Sequence, residues 1–344
     1  MDSGQRKITP KKVIKYLVML AVAVVLLYFS FRNISWKEFI QGVKNCNWIW
    51  IIASMIIGIF EFIVRAIRWK LLLRQIDPES DNLSSYHGVT IGNIANFVFP
   101  RAGELVRCGV VATEKKKTTF EGAVGTVVVE RAWDLLCLIF ISIVFAVAFW
   151  KSFGSFIDNN ILDNLSAKSS ATFWMIAILA IIIAAVVLLY LLRKQLSKTK
   201  VGGKIVKVFH NLKEGILSAF RMKEKWSFIF LTLLLWLCFW GTSICTIRAF
   251  PQLFDLGWSD ALFLMLVGGF GWAVPVQGGF GSYHFAVALA ASQVYAISWN
   301  DGLVFATISH ESQALIMIIL GAVSFVSYSI KKSKQQPVKA NNNL

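Results

Sequence analysis

Six apolar runs, residues 16–31, 48–64, 135–150, 173–192, 228–247 and 303–330, dominate this 344-residue chain. Several reach or approach the roughly 20 residues that carry an α-helix across about 30 Å of hydrocarbon. In that setting backbone N–H and C=O groups find no water, so spanning segments of this kind are helical. With 56% hydrophobic and only 16% charged residues, the chain lies outside the balance of soluble globular domains. The expected fold is an all-α polytopic membrane protein, with residues 1–344 as a single integral membrane domain. The first run follows a basic stretch, as in a signal peptide, but no small-residue cleavage pattern ends it, and it reads as a retained span.

The net charge of +16 is a matter of topology here rather than of nucleic-acid binding. Arg6, Lys7, Lys11, Lys12 and Lys15 precede the first run, and Arg65, Arg68, Lys70 and Arg74 follow the second. Lys115, Lys116 and Lys117 precede the third, residues 193–225 carry ten basic residues against two acidic, and Lys331, Lys332, Lys334 and Lys339 end the chain. The intervening loops are poor in basic residues. The positive-inside rule then puts both termini in the cytoplasm. Residues 193–225 read as a basic cytoplasmic linker. Its apolar positions Ile205, Val208, Phe209, Leu212, Ile216, Leu217 and Phe220 follow a helical period with one charged face, suited to an anionic membrane surface or to a solvated connector.

Two polar, glycine-containing breaks interrupt the apolar pattern: residues 93–107 (NIANFVFPRAGELVR) and 272–284 (WAVPVQGGFGSYH). Each places a proline three residues before a glycine, Pro100 with Gly103 and Pro275 with Gly278. Broken helix at membrane depth is tolerated where it faces protein or a water-filled cavity. Charge sorting makes the first break enter from the cytoplasm and the second from outside. The expectation is six full spans plus two re-entrant helical hairpins in an inverted repeat, the arrangement of alternating-access transporters. The first inverted unit is 48–150 and the second 226–330. Two pairs of tightly packed full spans would satisfy the same charge pattern.

The two breaks differ in chemistry. Around Pro100 stand Asn96, Arg101, Glu104 and Arg107. Glu104 and Arg107, three apart, share a helix face. If Glu104 neutralises one arginine, the other is left for an anion, and a guanidinium matches phosphate oxygens bidentately. Arg101, at the break itself, is the first choice for a lipid phosphate; the alternative is that the three charges satisfy one another and brace the hairpin. Around Pro275, Gln277, Gly278, Gly279, Gly281 and His284 carry no fixed charge, and the glycines permit positive φ and close backbone approach. Glu130, Arg131 and Asp134 place charge within the third long segment, where buried ions pair or serve a transport path. His310 and Glu311 lie early in the last span, Glu311 as a counterpart of Glu130, again with pairing and coupling both open. Glu61 and Arg65 form an i,i+4 pair, and Arg248 reads as snorkelling to headgroups. The five cysteines, Cys46, Cys108, Cys137, Cys238 and Cys245, form no CxxC or Cys/His cluster, and HESQ is not HExxH. Neither metal nor cofactor is expected, and no hydrolase, kinase or zinc motif occurs.

The ordered set Asn96…Pro100-Arg101-x-Gly103-Glu104-x-x-Arg107, Glu130-Arg131-x-x-Asp134 and Pro275-x-x-Gly278-Gly279-x-Gly281 resembles the lysylphosphatidylglycerol synthase transmembrane-region family. That family includes the membrane flippase part of bacterial multiple peptide resistance factors. The resemblance covers roughly residues 12–332. It implies a polytopic membrane protein that translocates aminoacylated phosphatidylglycerol, or another anionic or lipid-linked substrate, between leaflets. The cytosolic aminoacyl-transferase domain of fused members has no counterpart in these residues, so lysyl transfer is not implied. Members commonly carry an acidic residue shortly after the second glycine turn; His284 stands in that neighbourhood here.

Three functions follow from different readings. The leading one is a lipid flippase with membrane lipids, anionic or aminoacylated, as its partners. A membrane-embedded transferase acting on a phospholipid or polyprenyl phosphate would instead create a new lipid species. A non-transporting membrane partner would tolerate replacement of the interior charges.

Overall fold

α-Helices account for the extended regular structure among the described residues, which in this computed structural model are 21, 24–32, 34–98, 102–114, 117–149, 217 and 219–335. The expected span at 173–192, much of that at 16–31, the linker as far as 216, and Pro100 and Arg101 lie outside them. The helices, in chain order, are α1 (Trp36–Asn45), α2 (Trp48–Leu73), α3 (Asn82–Val98), α4 (Gly103–Glu114), α5 (Phe120–Ala148), α6 (Lys225–Arg248), α7 (Trp258–Ala273), α8 (Ser282–Tyr295) and α9 (Trp299–Gln335). Four of these, α2, α5, α6 and α9, are long and apolar enough to cross a membrane. The chain is a multi-pass membrane protein. Its exposed apolar side chains, such as Ile56, Ile59, Phe60 and Ile63 on α2 and Ile318, Ile319, Val323 and Phe325 on α9, suit lipid rather than water.

Local chemistry fixes the helix starts. The Ser35 and Asn47 side chains accept the Glu38 and Ile49 amides at the heads of α1 and α2, satisfying N–H groups that lack an intrahelical acceptor. At α7 the Gly257 amide donates to Asp260 at 2.7 Å. At α9 the Ser298 hydroxyl accepts the Asp301 amide at 3.1 Å and donates to the Asp301 carboxylate at 2.7 Å. The turn before α3 is held by buried Asp77, whose carboxylate accepts the Glu79 amide and the Thr118 hydroxyl at 3.0 and 2.9 Å.

The chain divides into two compact units, residues 1–127 with 226–344, and residues 128–225. In the first, α9 is the common element. Its 37 residues measure about 55 Å at 1.5 Å per residue. At its N-terminal end lie the starts of α1 and α2 and the end of α6: Asn47 donates to the Ala249 carbonyl at 2.8 Å, Gln252 to Asp301 at 3.2 Å, and Asn300 to Glu38. The base of the α7–α8 hairpin belongs to this end, with Gly302 packed against Ala288 and Ala291. At the other end of α9 lies the base of the α3–α4 hairpin, where the Thr113 and Tyr328 hydroxyls meet at 2.7 Å and Lys331 reaches Glu114 at 3.3 Å. The two hairpins thus start from opposite ends of one helix and point toward each other.

Small residues let these helices meet, the usual route to packing where lipid removes the hydrophobic drive between helices. A Cβ on Gly321 of α9 would lie 2.5 Å from Ile94 of α3, and one on Gly58 of α2 would meet Gln313 of α9 at 2.2 Å. Within the first hairpin, a Cβ on Gly103 would come to 1.9 Å from the Gly92 carbonyl oxygen, so backbone lies on backbone.

The second unit, as far as it is described, holds most of α5 and a short helical stretch near residue 220. Trp133 packs on Phe220 with ring centroids 5.2 Å apart.

Candidate functional site

The hairpin tips meet beside the middle of α9. Hairpin two turns through Val274–Gly281: the Val276 amide donates to the Val274 carbonyl at 2.8 Å and the Phe280 amide to that of Gln277 at 2.9 Å. Gly278, Gly279 and Gly281 have φ of 53°, 75° and 79°, a region costly for residues with a Cβ. The Ser282 hydroxyl ties the turn down, reaching the Gly271 and Gly279 carbonyls at 2.7 and 3.1 Å. From hairpin one, the Phe97 ring closes over this turn, 2.7 Å from where a Gly278 Cβ would sit and 6.0 Å from the Phe280 ring.

Behind the turn the structure gathers His284, His310 and Glu311. His310 Nε2 lies 2.8 Å from the Gly278 carbonyl oxygen, and its Nδ1 lies 3.0 Å from Glu311 Oε1. His284 Nε2 is 3.4 Å from the same carboxylate oxygen. Both histidines are buried, whereas the Glu311 side chain is 42% exposed. Trp272 stacks on His310 with centroids 5.0 Å apart, and Phe280 and Tyr283 approach to 5.1 and 5.2 Å. Gln277 Oε1 and His284 Nδ1 are buried with no hydrogen-bond partner among the described residues. The expected residues of the second hairpin and of the last span therefore form one cluster.

The first hairpin is arranged differently. Asn96 accepts the Gly103 amide at 2.9 Å, capping α4 across the break. Glu104 and Arg107 lie on α4 as the spacing predicts, Arg107 buried with its guanidinium 3.9 Å from the Trp69 ring centroid, a desolvated cation–π contact. Arg101 lies outside the described residues. Glu130, Arg131 and Asp134 belong to α5 in the second unit; Glu130 is fully buried, and Arg131 and Asp134 stand 3.5 Å apart. Glu61 and Arg65 pair at 2.7 Å.

Sequence reasoning missed several groups. Arg68, counted among the cytoplasmic charges, is fully buried, its guanidinium 5.8 Å from the Phe228 ring. At the base of hairpin one, buried His87 bonds Glu114 at 3.0 Å and Ser327 at 3.2 Å. Burial pushes the Glu114 carboxyl up, but the His87 hydrogen bond and the Lys331 charge outweigh it and hold it below the ordinary glutamate range. A histidine in an apolar helix is the one signal that could have drawn attention to His87. Trp272 and Tyr283 sit inside the glycine motif, but only the fold shows that their rings enclose His310.

A family model described as "Lysylphosphatidylglycerol synthase TM region" matches residues 16–321, nearly the whole chain. Neither the curated proteins nor the solved structures contain a match.

Proposed function

The chain belongs to the lysylphosphatidylglycerol synthase TM region family, and from that premise we propose that it is a lipid flippase of a bacterial cytoplasmic membrane. Its substrate is an anionic or aminoacylated phospholipid, or a lipid-linked relative, and both its termini lie in the cytoplasm.

The observation that carries the reading is the meeting of two hairpin tips, rooted at opposite ends of α9, around polar groups at mid-helix. The hairpin legs have 17, 12, 16 and 14 residues, or about 25, 18, 24 and 21 Å at 1.5 Å per residue. Those lengths fall short of about 30 Å of hydrocarbon and favour re-entrant hairpins in an inverted repeat over four further spans. A headgroup would enter between the tips while its acyl chains stay in the bilayer. The first hairpin supplies charge: Arg101 and Arg107 take the phosphate on the strength of their place in the motif, with Glu104 tuning both. The second supplies the backbone of residues 278–281, Gln277 and His284, beside His310 and Glu311 of α9, whose carboxylate suits a cationic aminoacyl group. Glu130, Arg131 and Asp134 enter on sequence grounds alone, as charge within an apolar helix.

The test uses purified full-length protein in liposomes, with the sidedness of anionic and lysyl-phospholipid headgroups followed over time. Movement of headgroups without change in lipid composition is expected, falling at least about tenfold in Arg101→Ala, the loss of about 1.4 kcal/mol of interaction. An unchanged rate in that variant removes Arg101 from the path. A new lipid species in place of altered sidedness makes the protein a transferase.

A further inference from the structure

A histidine ring with one proton offers one donor and one acceptor. His310 Nε2 faces the Gly278 carbonyl oxygen at 2.8 Å, and a carbonyl only accepts, so Nε2 bears hydrogen. Nδ1 then turns a lone pair toward Glu311 Oε1 at 3.0 Å. An ionised carboxylate also only accepts. Two acceptors at that separation repel unless a cation lies between them.

The choice is between a proton and a metal ion. Atoms of His284, His310 and Glu311 lie within 4.8 Å of one another, near enough for a divalent cation. A metal-bound histidine nearly always donates its other ring N–H to an acceptor. His310 does so, but His284 Nδ1 is buried without a hydrogen-bond partner among the described residues. A proton leaves no such deficit: His284 Nε2–H donates to Glu311, and its Nδ1 holds only a buried lone pair. The aromatic faces of Trp272, Phe280 and Tyr283 around His310 also favour a positively charged ring.

We propose that His310 and Glu311 form a single-proton site that latches the glycine turn of hairpin two to α9. With the proton present, His310 bridges Glu311 and Gly278. When the proton leaves, the ring and the carboxylate repel, and either Glu311 swings away through its exposed side or the ring turns and releases the Gly278 carbonyl. The proton exchanges through the exposed side of Glu311 and returns to solvent. The site stands on this geometry; its coupling to lipid movement rests on the flippase reading.

Other titratable groups on the surrounding elements are identifiable. α8 brings His284 and Tyr283 to the ring. α2, packed on α9 through Gly58 and Gln313, carries Glu61 and Arg65 as a pair. α1 brings Glu38 to Asn300, together with Lys37 and Lys44 on the same helix. α3 carries His87, bonded to Ser327. α7 and the glycine turn present Trp272 and Phe280, and Arg32 follows Phe31, whose ring lies 6.2 Å from His284.

The stacked Trp272 supplies the readout, because a protonated imidazole quenches indole emission more strongly than a neutral one. The emission of full-length protein in detergent, less that of Trp272→Phe, is followed across pH with chelator present. It should rise in one single-proton step as pH increases. Glu311→Gln supplies an amide N–H to Nδ1 and holds the latch without the proton, so the step should disappear or move by at least about one pH unit, a tenfold change in proton affinity. His310→Gln should abolish it, and His284→Gln should keep it. A flat wild-type difference, a step unaltered in Glu311→Gln, or one that appears only with added zinc overturns the proposal. In liposomes, an imposed pH gradient should change the rate of headgroup movement in wild type but not in Glu311→Gln. Equal rates with and without the gradient in wild type would overturn the coupling. Absence of any lipid movement refutes the flippase reading, while the emission step still decides the proton site.

Discussion

Each hairpin is held by a buried histidine set against a glutamate at the same 3.0 Å, His87 with Glu114 within the first, and His310 with Glu311 on α9 facing the turn of the second. The difference lies at the other ring nitrogen. His87 meets the Ser327 hydroxyl, which can donate or accept, so a ring with one proton satisfies both neighbours. His310 meets a carbonyl, which only accepts. One serine makes the first contact indifferent to an extra proton, and one backbone carbonyl makes the second depend on it. The first pair is also closed by Lys331 on the second Glu114 oxygen, whereas Glu311 keeps an exposed flank. The first hairpin is braced; the second is latched.

That contrast can be broken most forcefully at the glycines. Gly103→Ala would drive a Cβ to 1.9 Å from the Gly92 carbonyl and 2.7 Å from Asn96, both fixed. Melting in detergent should show a loss of about 3 kcal/mol, the top of the usual overpacking range, or failure to fold. Gly278→Ala combines positive φ with a contact to the Phe97 ring, which can move, and should cost about 2 kcal/mol. If the second variant is the more damaging, the braced and latched assignments are reversed.

A smaller effect sharpens the comparison at the base of hairpin one. Glu114→Gln removes the charge that His87 and Lys331 address and should cost about 1 kcal/mol at neutral pH. The folded-state carboxyl lies below its ordinary 4.5, so this stabilisation is complete above 4.5 and fades as pH falls through the lower folded-state value. The melting gap between wild type and variant should narrow under acid, and a constant gap would show that the glutamate's charge is not what is lost. The smallest effect is expected at Lys117→Ala. Lys117 meets Glu79 at 2.7 Å with both side chains largely exposed, and its removal should leave the melting temperature unchanged.

The long helices were legible because lipid demands uninterrupted apolar length, and α2, α5, α6 and α9 coincide with four of the six runs. Their ends were less legible. α5 begins at Phe120, 15 residues before its run, because Glu130, Arg131 and Asp134 interrupt hydropathy without interrupting the helix; glutamate and arginine favour helix. The glycine turn was readable from composition, and positive φ at Gly278, Gly279 and Gly281 followed. Which groups would meet was another matter. His87, Glu114 and Lys331 come from three helices, and no local spacing encodes their contact. Arg68 shows the limit of sorting charge by position, since its place in the chain gives no hint of its burial.

The long α9 has a consequence of its own. His87 holds hairpin one at Ser327, and His310 holds hairpin two at Gly278. The two anchor positions on α9 are 17 residues apart, or about 25 Å along the axis. That spacing is written into one unbroken helix, which therefore serves as a ruler between the anchors. Bilayers of different thickness can change the tilt of the ruler, but the distance between its two marks stays the same.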